Sequence, residues 1–452
     1  MNLKVSGKLK LGEKIGYALG DTAANITWRS LTTFLMVFYT DVFGIPAAAA
    51  GVILLVARST DGITDVIMGM IADRTKSKYG KFRPWILWTA IPLGIIMVLT
   101  FTTPNLSVKG KIIYAYATYI LLTLIYTLNN VPYSALMGVM TGDHEERTSI
   151  SSFRFAGAFL GGIITQGFLI YLVEFLGGGN ENRGYQYSMY LFAGLLVLFL
   201  FITFYSTKER VQPPKSQNTN ILKDLRDLLT NKPWIIILVI GLLFQIFNAI
   251  KQGVTVYYFE RFLGNKPLAA VYMVVLLLAS MAAALLTTPM AKMVGKKNLF
   301  IYALLFSGLT TGMIHFATFD DIGFIFTMGT LAEFGAGIMP VLFFAMLGDA
   351  ADFSEFKNNR RATGLFYSAG TLSLKFGGGV GGAIIGFVLA HYGYNAEVQL
   401  TIDSAIPGIK ILMSWIPAIF TGIGVLIMLF YPLSKSKMEE IGTELKHRRR
   451  KE

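Results

Sequence analysis

The sequence predicts an all-α integral membrane protein of twelve transmembrane helices arranged as two six-helix halves, with both termini cytoplasmic. Three observations carry that prediction. Of 452 residues, 54% are hydrophobic and only 15% charged, with a mean hydropathy of +0.55, far outside the range of soluble domains. Apolar runs of the length needed to cross a bilayer, about 20 residues each, recur between short polar breaks. The basic residues are also partitioned by side. With the N-terminus assigned to the cytoplasm, the two tails and the loops after even-numbered spans hold 29 of the 40 lysines and arginines; the opposite loops hold six, and five lie inside spans (Arg29, Arg58, Arg154, Lys251, Lys375). This is the positive-inside signature. It accounts for the net charge of +13 with no nucleic-acid partner.

The N-terminal stretch carries charges but no apolar core followed by a small-residue cleavage site, so no cleaved signal peptide is expected, and the location is the cell (inner) membrane. The first six spans are placed at 15–40, 47–72, 84–103, 111–138, 150–176 and 185–206, and the second six at 233–259, 267–291, 298–318, 322–348, 362–391 and 407–432. The longest polar stretch, 207–232, contains Pro213-Pro214 and reads as a linker. The organisation is therefore an N-terminal bundle (1–206), a cytoplasmic linker (207–232), a C-terminal bundle (233–432) and a basic cytoplasmic tail (433–452).

The halves echo each other. Gly142-Asp143 with Arg147-Thr148 follows the fourth span, and Gly348-Asp349 with Arg361-Ala362-Thr363 follows the tenth. Parallel-related halves of six helices are the layout of major-facilitator transporters, which rock around a midplane site. Gly157, Gly161 and Gly162 in the fifth span and the glycine run 377–386 in the eleventh are small residues that let helices approach closely. There is no cysteine, and the four histidines show no ligand spacing, so disulfides, thiolate chemistry and a resident metal are not expected. No cofactor is called for beyond a transported cation.

The polar residues inside the spans carry the functional prediction. Arg58, Asp61 and Asp65 share one face of the second span and leave a formal charge of about −1, and an uncompensated charge at membrane depth costs ~2.5 kcal/mol or more. A cation should visit. Carboxylates one turn apart can share Na⁺ through oxygen ligands or share a proton; the alternative is that Arg58 neutralises one and a lysine elsewhere the other. In the first span, Asp21, Asn25 and Arg29 line one face, where Asp21 either pairs internally with an arginine or accepts hydrogen bonds from ligand hydroxyls. The fourth span reads Y-T-L-N-N-V-P-Y over 126–133, presenting Tyr126, Thr127 and Asn130, with Pro132 freeing a backbone carbonyl. Arg154 opens the fifth span with a fork suited to adjacent hydroxyls or a carboxylate. Lys375 is a lone cation among small and apolar residues of the eleventh, with Asp61 and Asp65 as its natural counter-charges. Lys251, Gln252, Tyr257 and Tyr258 in the seventh span and Glu333 in the tenth fit packing at least as well as ligand contact. At the cytoplasmic edge, the charges of 73–83, Asp73 and Arg74 among them, are placed for a salt-bridge gate.

Four motifs in order now resemble one family: Gly20-Asp21; A-R-x-x-D-x-x-x-D ending at Asp65; D-R-x-x-x-x-x-G-K-F-R-P-W from Asp73; and D-x-x-D-x-x-E-F-K from Asp349, leading to Leu374-Lys375. They are similar to those of the glycoside–pentoside–hexuronide:cation symporters of the melibiose-permease type, and the resemblance spans about residues 10–432. It implies symport of a sugar with H⁺ or Na⁺ by alternating access. On that resemblance Asp61 and Asp65 bind the cation beside Thr127 and Thr64. Asp21 and Arg154 bind sugar hydroxyls, with Asn25, Tyr126 and Asn130 completing the sugar set. Arg58 and Lys375 serve coupling, and Asp73, Arg74, Asp349, Asp352 and Glu355 serve gating. Thr64 stands where the family pattern has Asn, Asn130 where it has Asp, and Ser134 where it has Trp, which removes oxygen ligands suited to sodium and favours protons. The expected partners are a small sugar, the cation and membrane lipid, with the protein a monomer. Two other readings compete: a lysolipid-type carrier of the same fold, and a membrane-embedded enzyme acting on lipid-linked sugars. The enzyme is opposed by the short non-cytoplasmic loops and the lack of a loop carboxylate pair with a metal motif.

Overall fold

A computed structural model describes residues 9–141, 144–210, 228–358 and 363–451, all of them helix, turn or loop. The helices are α1 (11–42), α2 (Ala47–Arg74), α3 (Arg83–Thr100), α4 (Val108–Met140), α5 (144–177), α6 (Glu181–Ser206), α7 (Lys232–Phe262), α8 (Lys266–Val294), α9 (Lys296–Phe316), α10 (Ile322–Asn358), α11 (Thr363–His391), α12 (Gln399–Leu429) and α13 (Lys435–Lys451). Each of the twelve expected spans falls on one of the first twelve helices. Among the described residues, ten helices are long and apolar enough to cross a membrane by length and composition. The two outside that group, α1 and α2, carry much of the predicted site. The repeat residues Gly142-Asp143 and Arg361-Ala362, most of the linker, and the side chain of Asp73 lie outside the described residues.

The chain divides into two compact units. The first comprises residues 1–216 with 265–274 and 389–404; the second comprises 217–264, 275–388 and 405–452. In the first unit, α4 and α6 start on side-chain caps: Ser107 accepts from the Gly110 amide and Asn180 from the Arg183 amide. The fifth-span glycines let α5 lie against α1. A Cβ at Gly157 would overlap the Ala18 carbonyl oxygen, one at Gly161 would sit 2.5 Å from the Thr22 carbonyl oxygen, and the Thr22 hydroxyl donates to the Gly157 carbonyl at 3.0 Å. Beyond α6, the Glu209 carboxylate accepts from three successive amides, Lys81 (2.9 Å), Phe82 (2.8 Å) and Arg83 (3.0 Å), at the start of α3. Gly80, at φ +105°, is required there because any side chain would collide with that carboxylate. Arg83 adds a 2.6 Å bond to the Phe204 carbonyl. The fold thus uses the backbone amides of the predicted gate loop to tie α3 to α6, while Arg74 is solvent-exposed at the end of α2.

The second unit repeats these devices. Gly377 and Gly381 bring α11 against α7, where added Cβ atoms would sit 2.6 Å from the Leu242 carbonyl oxygen and 2.6 Å from the Ala249 side chain. Trp234, Phe244, Phe247, Phe300 and Phe343 fill the core. The tail, expected as a basic extension, forms α13, and its Ile441 and Leu445 join that core. Helices α1 and α7 also end alike, each in a π-helical turn (Phe38–Val42 and Tyr258–Phe262) followed by a glycine in the left-handed region, Gly44 at φ +73° and Gly264 at φ +65°.

Candidate functional site

The predicted carboxylates meet at one hydroxyl. Thr127, 1% exposed on α4, places its Oγ1 at 2.9 Å from Asp61 Oδ1 and 3.1 Å from Asp65 Oδ1 on α2. A hydroxyl carries one hydrogen, so it can donate to only one of two ionised carboxylates. The second oxygen is then left facing a lone pair. The arrangement becomes complementary when a cation is added: a proton on one carboxyl makes the chain O–H···Oγ–H···O, and a metal ion would accept all three oxygens as ligands. Thr64 donates its own hydrogen to the Asp61 carbonyl at 2.9 Å, so it serves the α2 backbone.

Arg58 sits beside the carboxylates without closing on them. Its Nη1 is 3.8 Å from Asp61 Oδ2, and its guanidinium lies 4.1 Å from the Trp28 ring centroid and 5.8 Å from that of Tyr119. Buried stacking of this kind is worth about 0.5–2 kcal/mol and holds a positive charge that need not be surrendered to Asp61. Trp28 in turn lies 6.1 Å from Tyr126. Tyr126 is within electrostatic reach of Asp21, Asp61, Arg58 and Arg154, so it stands between the two charged clusters of the unit.

The second cluster is the predicted hydroxyl-binding pair. Arg154 Nε donates to Asp21 Oδ1 at 3.1 Å, and its Nη2 donates to Ser134 Oγ at 3.2 Å. Asp21 is nearly buried, while the Arg154 side chain retains 29% exposure. Behind it, Tyr17 and Tyr133 stack at 4.6 Å and exchange hydroxyl-to-carbonyl bonds of 3.2 and 2.7 Å, which fixes α1 against α4. Asn25 donates one amide hydrogen to the Asp21 carbonyl at 2.9 Å, which leaves its second hydrogen and its oxygen outside that bond. Asn130 is half-buried, and its neighbour Asn129 bonds Thr89 on α3 at 2.7 Å.

In the second unit, Lys375 is half-buried on α11, Asp352 and Glu355 are half-buried on α10, and Asp349 receives Lys296 Nζ at 2.7 Å on both oxygens. Sequence reasoning missed Trp28, Tyr17 and Glu209. Trp28 falls seven residues after Asp21, on the face already singled out, and that spacing was the available signal.

A bundle of largely apolar, long helices in two units, with ionisable side chains buried and paired within it, is the build of a secondary transporter. Solved structures agree on the fold alone: a bacterial homologue of the human lysosomal transporter Spinster matches with a TM-score of 0.69 at 13% identity, covering 94% of this chain and 98% of that one. The family model described as MFS/sugar transport protein matches residues 16–435, and the chain belongs to this family of sugar carriers within the major facilitator superfamily. It is 37% identical over 443 residues to the putative glycoside/cation symporter YagG of Escherichia coli (strain K12), covering 98% of this chain and 96% of that one. It is 33% identical over 428 residues to the isoprimeverose transporter of Lactiplantibacillus pentosus, covering 94% and 89%.

Proposed function

We propose that this sugar:cation symporter couples uptake of a neutral glycoside or pentoside to one proton, held among Asp61, Asp65 and Thr127, with sugar hydroxyls bound at Asp21 and Arg154. The observation that carries the reading is the single Thr127 hydrogen set against two carboxylate oxygens at 2.9 and 3.1 Å. One added proton completes that hydrogen-bond chain. Sodium would take the same three oxygens but prefers several more, and Asn130 stands where the family pattern has a further carboxylate.

The neutrality of the sugar follows from Asp21 and Arg154, which already balance each other at 3.1 Å. A balanced pair offers an acceptor and donors to hydroxyls and leaves no excess charge to attract a carboxylated sugar. The relatives include both kinds: the isoprimeverose transporter, and at 30% identity the glucuronide carrier protein homologue of E. coli. In this reading the protein is a monomer of the inner membrane with both termini in the cytoplasm, where 29 of its basic residues then lie. Binding of sugar and proton must favour each other equally, by linkage.

The test is uptake of labelled isoprimeverose, a methyl β-xyloside and a methyl glucuronide in cells or membrane vesicles carrying the full chain or Asp61→Asn. Accumulation should need a proton gradient, ignore sodium, prefer the neutral sugars and vanish in Asp61→Asn. Accumulation driven by sodium with the proton gradient dissipated would refute proton coupling, and preference for the glucuronide would refute the substrate class.

A further inference from the structure

Three lysines of the second unit gather where helices ordinarily place acids. Lys296 and Lys297 are the first two residues of α9 and Lys435 is the first of α13, and neither helix has an acidic residue in its first turn. The backbone dipole favours anions at such ends, so cations placed there need a reason. All three line one cavity of about 320 Å³, walled by the end of α8, the start of α9, Asp349 on α10 and the link from α12 into α13.

Their charges are unevenly met. Lys296 is matched by Asp349, whose two oxygens each accept from its Nζ at 2.7 Å. Lys297 donates to the Leu429 and Tyr431 carbonyls at 2.9 and 2.7 Å, and Lys435 donates to the Lys292 carbonyl at 3.0 Å; neither pairs with a carboxylate among the described residues. Glu439 also lines the cavity but is exposed, where water screens its charge. The cavity therefore carries an excess of positive charge.

Two further features call for an acceptor. Helix α9 begins at Gly295, φ +83°, with no side-chain cap, so its first amides are left for another partner. Tyr431 is 2% exposed, and its hydroxyl is buried without a hydrogen-bond partner among the described residues, within electrostatic reach of Asp349 on the same cavity. A buried hydroxyl so placed is costly until an acceptor arrives. Lysines that only closed the ends of α8 and α12 would need neither the cavity nor that hydroxyl.

We propose that Lys297, Lys435, the open start of α9 and the Tyr431 hydroxyl form a binding site for a phosphate group. Its several anionic oxygens accept from ammonium, amide and hydroxyl donors together. The flank of the site points to the source of that phosphate. Met293, Leu429 and Phe430, next to the backbone carbonyls that hold Lys435 and Lys297, are 80, 55 and 71% exposed, as suits a surface that meets acyl chains. An anionic phospholipid supplies the phosphate in this arrangement, with its tails outside the cavity.

The test uses the full chain purified in detergent, with no sugar and no gradient, titrated with dioleoyl phosphatidylglycerol, dioleoylglycerol and inorganic phosphate. Binding is read from the ligand dependence of the thermal midpoint, and stoichiometry from native mass spectrometry. Phosphatidylglycerol should fill one saturable site that dioleoylglycerol does not occupy. Lys297→Gln with Lys435→Gln keeps donors for the carbonyls but removes both charges, and should weaken binding about 30-fold, roughly fivefold per lysine. Tyr431→Phe removes a hydroxyl with no partner of its own, so it should leave the ligand-free midpoint in place and still weaken binding about tenfold. Tighter binding of phosphatidylglycerol than of inorganic phosphate assigns the phosphate to lipid and the reverse assigns it to a soluble donor; either result upholds the site. Equal affinity for dioleoylglycerol overturns it, since acyl chains alone would then be recognised. So does binding that falls with the lysines but ignores Tyr431→Phe, which is attraction to a basic surface, and so does binding indifferent to all three substitutions. Should the lysine variant fail to fold, Tyr431→Phe decides alone.

Discussion

Replacing Thr127 by Val tests the proton-sharing geometry most directly, because the side chain keeps its shape and loses only the hydroxyl. With one proton present, Thr127 both accepts from one carboxyl and donates to the other, at 2.9 and 3.1 Å; with none present, it donates once and faces a lone pair. The protonated site is therefore favoured by one net hydrogen bond, about 0.5–1.5 kcal/mol. Thr127→Val removes that preference, so the proton concentration giving half-maximal uptake should rise, by up to about tenfold at 1.4 kcal/mol per decade. The sign is fixed: the variant needs a more acidic medium. Thr127→Ser should stay near wild type. The assay is initial uptake against external pH at fixed sugar and fixed membrane potential. A profile that stays in place, or moves towards alkaline pH, would refute the shared-proton arrangement.

Three other perturbations follow from the geometry. Gly157→Leu pushes α5 off the Ala18 carbonyl, at a cost of about 1–3 kcal/mol, and should lower the thermal midpoint in detergent and abolish uptake by displacing Arg154 from Asp21. Glu209→Ala leaves the amides of Lys81, Phe82 and Arg83 without their shared acceptor and should cost about 1–3 kcal/mol of stability, with the sugar KM unaltered in the protein that remains folded; thermal denaturation alongside transport kinetics checks both halves of that statement. Arg58→Lys keeps the charge but gives up the flat stacking on Trp28, worth about 0.5–2 kcal/mol, and should reduce the maximal rate of proton-driven uptake without changing sugar selectivity, as a competition panel would reveal.

The membrane fold was legible because a bilayer demands long apolar runs, and twelve such runs coincide with helices. Helix ends were less legible, since hydropathy marks where the bilayer stops and helices continue past it. Helix α10 runs on to Asn358, ten residues beyond the apolar stretch ending at 348, carrying Asp349, Asp352 and Glu355 with it. The approach of Thr127 to Asp61 and Asp65 could be anticipated from helical faces and family motifs, because each face holds few polar residues. Trp28 and Glu209 could not be ranked that way. Their roles depend on which backbone or guanidinium a neighbouring helix delivers, and nothing local in the Thr207-Lys208-Glu209-Arg210 run distinguishes an amide-binding carboxylate from a solvated one. The paired endings of α1 and α7 keep the same spacing from turn to glycine, in V-F-Y-T-D-V-F-G-I-P and V-Y-Y-F-E-R-F-L-G-N-K-P, but no residue of the turns is identical at matched positions and the prolines that follow are out of step by one.

Under the proposed one-proton coupling, the lone hydrogen on Thr127 also sets a ceiling on what the cell can gain. A site completed by one added cation moves one charge per sugar, and one charge crossing the membrane delivers about 2.3 kcal/mol for each 100 mV of potential. At 1.36 kcal/mol per decade, that supports a sugar gradient of roughly fiftyfold per 100 mV, before any contribution from the ion's own gradient. That ratio is set by the stoichiometry and not by the amount of carrier, so more copies of the protein would speed uptake without raising the final gradient.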